Sequence, residues 1–227
     1  MLSLVDWFNN HGCDAYLVKL AGHYEDSIDS AHITGHDWQQ DIMNGYTVAK
    51  QAAALHRIPL LFLGYSLGGL LGVDMILSAG NGIGIEKQIL LAPATAIRSS
   101  AYLLKVFFFG KKLYLPSFTP AKYKANDKLS VNAYKIMFSI VRSVSQSTRR
   151  IKIPTLVVID KKDELISYKK LRRFLHRFVN AHYELLQLDS DMSQRYGGYH
   201  HLIINQETMG VANWKMFTEK MTSFLFG

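Results

Sequence analysis

A serine stands between glycines in Gly64-Tyr65-Ser66-Leu67-Gly68-Gly69, directly after the apolar run Ile58 to Leu63 and directly before Leu67 to Leu77, which has helical character. The Gly-x-Ser-x-Gly pattern alone is modest evidence, because chance supplies one in roughly one chain in ten of this length. Its setting carries the weight. A buried strand, a sharp turn and a helix are the context in which a serine is thrust out of a sheet edge at a helix N-terminus. Gly64 and Gly68, having no Cβ, are expected to let the turn close and its backbones pack tightly.

A serine hydroxyl attacks carbonyl carbon poorly until a base takes its proton, so a histidine and an acid that orients it are required. Around a strand–turn–helix serine both follow in the chain, acid first, each just after a later strand. The segment Asp160-Lys161-Lys162-Asp163-Glu164-Leu165-Ile166-Ser167 follows the apolar run Thr155 to Ile159, and His200-His201 follows Tyr183 to Leu188. Asp160, Asp163 and Glu164 all lie in this acid loop, and any of them could instead be a solvated surface charge; Asp163 is the expected acid, because it lies past the strand end where a loop can turn, and Asp160 is the alternative. His200 is the expected base and His201 the alternative. His32 and His36 have a spacing that suits zinc on a helix, but Thr34 and Gly35 between them read as loop and no His-Glu-x-x-His pattern occurs. No metal and no organic cofactor is expected.

Elements that could position these residues alternate along the chain, the mark of an α/β fold with a mostly parallel sheet. Strands are expected over Ala15–Leu20, Ile58–Leu63, from Gln88 to about Ala92, Thr155–Ile159 and Tyr183–Leu188. Helices are expected at the N-terminus (Leu4, Trp7 and Phe8 on one face), after Asp37 in a capping box with Gln40, over Leu67–Leu77, after Ser167, and from about Thr208 to Leu225. Between Ala96 and Arg150 the alternation stops. That stretch holds Phe107-Phe108-Phe109, Lys111-Lys112, Tyr114-Leu115-Pro116 and a helical pattern through Tyr134, Met137, Phe138 and Val141. It is read as an inserted helical cap, so that residues 1–95 and 151–227 form the core and 96–150 the cap.

With 227 residues, 48% of them hydrophobic, the chain can bury a substantial core. No run approaches the roughly 18 consecutive apolar residues of a membrane span. A single cysteine, Cys13, precludes an internal disulfide framework. Met1 to Phe8 lacks the basic start and cleavage site of a signal peptide, so a cytoplasmic location is expected. Lys and Arg total 26 against 18 acidic residues, a net charge of +8. The charges are dispersed and accompany no nucleic-acid motif, which argues against nucleic acid as a partner. They permit contact with an anionic membrane surface, for which Lys169, Lys170, Arg172 and Arg173 are candidates.

The segments LFLGYSLGGLLG, IPTLVVIDKKDELIS and YHHLIIN resemble the nucleophile elbow, acid loop and histidine loop of the α/β-hydrolase superfamily. The nearest likeness is to its carboxylesterase, monoacylglycerol lipase and lysophospholipase branch. Leu20-Ala21-Gly22-His23 and Asp37-Trp38 resemble further signatures of that branch, and the likeness runs over nearly the whole chain. It implies Ser66 as nucleophile, Asp163 as acid, His200 as base and the backbone N–H of Leu67 as an oxyanion donor. Asn205 stands where relatives often carry Asp. The resemblance also implies strands and a His-Gly oxyanion loop ahead of the first helix, which this sequence does not contain; the fold is therefore expected to be N-terminally shortened. The function implied is hydrolysis of small-molecule or lipid esters through an acyl-enzyme. A thioesterase or peptidase on the same scaffold, or a non-catalytic binding protein built on a truncated hydrolase core, are the alternatives.

Overall fold

The computed structural model describes residues 2–24, 29–100, 113–116, 121–123, 128–179, 182–190 and 199–227. Helix α1 (Leu2–Asn10) buries Leu4 and half-buries Trp7 and Phe8, the face its apolar spacing predicts. Helix α2 (Gly35–His56) leads to strand β1 (Leu60–Tyr65), which runs into helix α3 (Leu67–Ala79) and then strand β2 (Ile85–Leu91). An antiparallel ribbon of β3 (Tyr114–Pro116) and β4 (Lys128–Ser130) precedes helix α4 (Val131–Gln146). Strand β5 (Thr155–Asp160), helix α5 (Tyr168–Phe178), strand β6 (Tyr183–Leu188), the short α6 (Gln206–Met209) and α7 (Val211–Phe226) complete the order.

The four long strands form one parallel sheet in the order β1-β2-β5-β6. Register aligns their carboxyl ends: Tyr65 is paired with Leu91, Leu91 with Val158, and Asp160 with Leu188. The loops that leave these ends therefore share one edge, which is where open α/β sheets gather their functional groups. Each residue of β5 is buried, as its unbroken apolar run requires of a strand covered on both faces. Helix α3 buries Gly69 through Leu77, and α5 buries Leu171, Phe174, Leu175 and Phe178 while leaving Lys169, Arg172, Arg173 and Arg177 exposed. Lys87 closes the last turn of α7 by donating to the carbonyls of Phe224 and Leu225, at 2.9 and 3.0 Å. Among the described residues no helix is long and apolar enough to cross a membrane.

Three local expectations give way. Residues 15–20 form no strand. A strand exists only by pairing, and this segment instead lies along α2: Val18 packs over Gly45, the Ala21 N–H donates to Asp41 at 2.7 Å, and the Ala21 carbonyl accepts from the Trp38 indole at 2.9 Å. Asp37 is not the cap of α2 but its third residue. Thr34 is the cap, its hydroxyl accepting the Asp37 N–H while the Asp37 carboxylate accepts the Thr34 N–H. The last helix is broken at Gly210, whose φ of 83° no helix accommodates. Within the stretch 96–150, α4 packs against α3, and Phe138, Val141 and Val144 join the core formed with the sheet. Phe107, Phe108, Phe109, Lys111 and Lys112 lie outside the described residues.

Candidate active site

The turn at Ser66 is built by crowding. A Cβ on Gly64 would come within 2.7 Å of the Gly69 Cα, and one on Gly69 within 3.0 Å of Pro93, so the turn closes only because both are glycine. Gly68, expected to share that duty, faces open space. Ser66 sits at φ 48°, ψ −113°, a conformation that side-chain-bearing residues rarely adopt. Strand β2 and the turn after it hold it there: the Ser66 N–H donates to the Leu91 carbonyl at 2.9 Å, and the Ser66 carbonyl accepts from the Ala94 N–H at 3.0 Å. Leu67 opens α3, so its N–H is one of the amides left without an acceptor inside the helix.

Asp163 is fully buried. One carboxylate oxygen, Oδ1, accepts the backbone N–H groups of Leu165 and Ile166, at 2.8 and 2.7 Å. The other, Oδ2, lies 2.8 Å from Nδ1 of His201. The segment after β2 supports this loop from outside. Ile97 forms a β-bridge with Ile166, and the Arg98 guanidinium donates through Nε to the Asp163 carbonyl at 2.7 Å. Nε2 of His201 lies 2.9 Å from Oγ of Ser66. A carboxylate can only accept, so Nδ1 carries the proton and Nε2 is left to accept from the serine hydroxyl.

The two adjacent histidines thus part company. His200, the expected base, turns its Nδ1 to Oδ2 of Asp160 at 2.7 Å, and His201 is the one brought to Ser66. Asp160, the alternative acid, is spent on His200 and on the hydroxyl of Ser190, with the Lys162 N–H on Oδ1 at 2.7 Å. Two further residues make contacts that the sequence reading did not anticipate. Glu164 accepts the N–H of His200 at 2.7 Å and of His201 at 2.9 Å. Tyr65 donates its hydroxyl to the His201 carbonyl at 3.2 Å, its ring centroid 5.4 Å from the imidazole. Burial, with Asp163 and Glu164 close by, raises the Tyr65 phenol well above its ordinary range, so it remains a donor. The only available signal was their place beside Asp163 and Ser66. His32 and His36 belong to no metal-binding group, and none occurs among the described residues.

No protein-family model matches the chain, and no curated protein matches it in sequence. Solved structures do. Monoacylglycerol lipase from Paleococcus ferrophilus is 18% identical with a TM-score of 0.69, over 97% of this chain and 88% of that one. A soluble variant of monoglyceride lipase from Saccharomyces cerevisiae, in complex with a substrate analogue, is 10% identical with a TM-score of 0.67, over 90% and 75%. A metagenome-derived lipolytic enzyme is 20% identical with a TM-score of 0.65, over 86% and 75%. The parallel sheet flanked by helices is the α/β-hydrolase fold, in the form that these lipases and esterases share.

Proposed function

We propose that this α/β-hydrolase-fold chain is a serine hydrolase that cleaves carboxylic esters through an acyl-enzyme on Ser66. The observation that carries the reading is the unbroken series of hydrogen bonds from Asp163 through His201 to Ser66, at 2.8 and 2.9 Å. His201 takes the hydroxyl proton as Ser66 Oγ attacks the ester carbonyl, then returns it to the leaving alcohol. Water enters by the same route in reverse and releases the acid. Asp163 holds the imidazole in the tautomer that leaves Nε2 free, and stabilises the imidazolium as it forms. The Leu67 N–H, at the positive end of α3, supports the oxyanion. In this assignment the base is His201; His200 and Asp160 serve the loop.

Lipid monoesters are the favoured substrates: monoglycerides by analogy with the monoacylglycerol and monoglyceride lipases that share the fold, and lysophospholipids by the resemblance of the sequence motifs. The exposed face of α5, with Lys169, Arg172, Arg173 and Arg177 and no acidic residue in the helix, is suited to an anionic lipid surface. A fluorophosphonate probe tests the mechanism: it should label the wild type and fail to label Ser66→Ala, and equal labelling of both would sink it. Nitrophenyl esters, acyl-thioesters and aminoacyl anilides assayed in parallel then separate an esterase from a thioesterase or peptidase. An unlabelled wild type that hydrolyses none of them would favour a non-catalytic binding protein.

A further inference from the structure

We propose that Glu164 is a positioning residue for the base, a clamp that holds the main chain of His201 so that its imidazole can reach Ser66. The inference rests on the proposed role of His201 and deepens it. His200 and His201 lie between β6 and α6, outside helix and strand, where no regular ladder serves their backbone groups. Glu164 serves them instead. Its Oε1 accepts the N–H of His200 at 2.7 Å and its Oε2 that of His201 at 2.9 Å, so one carboxylate grips two consecutive amides. Two bonds from a rigid planar group fix the direction of the intervening peptide as well as its place. Across the site, the Tyr65 hydroxyl takes the His201 carbonyl. Both polar main-chain groups of His201 are therefore held by residues directly next to Asp163 and Ser66 in the chain.

This arrangement fixes the three loops against one another. The acid loop orients the base twice, through the imidazole by Asp163 and through the backbone by Glu164. With the main chain fixed, the His201 side chain has only two torsions left, and the bond from Nδ1 to Asp163 settles them. The grip on the His200 N–H, with the ring of His200 tied to Asp160, keeps the neighbouring histidine turned away from the serine. Glu164 is itself exposed, so water can satisfy the two amides if the carboxylate is removed. Loss of the clamp should then loosen the loop without unfolding the chain.

The test compares Glu164→Ala and Glu164→Gln with the wild type on a nitrophenyl ester. Small misplacements of a catalytic group cost up to about 10²-fold. Glu164→Ala should lower kcat by about 10- to 100-fold and slow fluorophosphonate labelling of Ser66 in step, with KM within about twofold and Tm nearly unchanged. Glu164→Gln keeps one acceptor oxygen and should fall between Ala and wild type. A readout independent of turnover is the low-field proton resonance of His201 Nδ1–H, assigned by its loss in His201→Gln. It should broaden in Glu164→Ala and persist in Glu164→Gln. An unchanged kcat and an unbroadened resonance in Glu164→Ala overturn the proposal while leaving the triad intact. A fall in kcat accompanied by matching changes in KM and Tm also overturns it, as that pattern marks general loss of structure. If instead His201→Gln hydrolyses as the wild type does, the reading of the base fails, and the clamp with it.

Discussion

Nε2 of His201 stands 2.9 Å from Oγ of Ser66 across 135 positions of sequence, while Nδ1 of the adjacent His200 binds Asp160 at 2.7 Å. The two rings thus face different partners although the residues are neighbours of the same type, and on the proposed mechanism they have different duties. His201→Gln should lower kcat/KM for a nitrophenyl ester by at least about 10³-fold, the scale on which a missing general base is felt. His200→Gln should cost no more than about tenfold in activity. It leaves Asp160 short of a buried partner, and Tm should fall by the equivalent of about 1–3 kcal/mol. Equal losses from the two substitutions would refute the division of roles.

Asp163→Asn offers a sharper test of the acid. The backbone amides of Leu165 and Ile166 both point at Oδ1, so an Asn would keep its carbonyl oxygen there and turn its NH2 toward His201. Nδ1 would then have to accept, Nε2 would hold the proton, and the serine would lose its base. A fall in kcat of about 10⁴-fold is expected, with the circular dichroism spectrum of the folded protein retained. Activity within about tenfold of wild type would show that the tautomer is set by something other than Asp163.

The glycines of the turn predict opposite outcomes. Gly64→Ala places a Cβ at 2.7 Å from backbone that cannot yield, and should destabilise by about 1–3 kcal/mol or prevent folding. Gly68 lies in the first turn of α3 with nothing within 4 Å of an added Cβ. There alanine should be neutral or stabilising by up to about 1 kcal/mol. Thermal unfolding of both variants decides the matter, and a Gly68→Ala variant as unstable as Gly64→Ala would contradict the geometry.

Asp74, away from the site, makes stability depend on pH. It is 6% exposed on α3, where Gln39 of α2 donates to it at 2.9 Å, and burial raises its pKa above the ordinary carboxylate range. The folded chain therefore keeps the proton at a pH where the unfolded chain has released it. Stability falls as pH rises from the ordinary value through the raised one. Asp74→Asn carries no charge to desolvate and can still accept from Gln39. Its Tm should exceed that of the wild type at about pH 7, with the advantage vanishing near pH 3.5, below the ordinary carboxylate pKa. A constant difference across that range would assign the effect to packing.

Much of this was legible from local pattern. Tyr183–Leu188 is a strand with the bounds its residues indicate, and Ser167 caps α5 as its position before an amphipathic run suggests. Such signals are local, because burial on both faces and side-chain capping leave their mark within a few residues. Ala15–Leu20 shows the limit. Its residues suit a strand, but a strand depends on a partner elsewhere in the chain, and here α2 provides the surface instead. The α4 segment shows the same limit: its periodicity announces a helix without saying which surface the helix will meet.

By itself, then, the sequence determined the strand–turn–helix around Ser66, the acid-then-histidine order, and the Asp160 to Glu164 and His200-His201 segments as the sources of the partners. These follow from residue type, spacing and chain order. Which histidine faces the serine, which aspartate faces which histidine, and what Glu164 does were decided only by tertiary structure. Successive residues of a loop present their side chains in different directions, and that direction is set by contacts with distant chain. Here those contacts are the carboxylates of Asp160, Asp163 and Glu164 and the hydroxyl of Tyr65, brought to one sheet edge by the parallel register of β1, β2, β5 and β6.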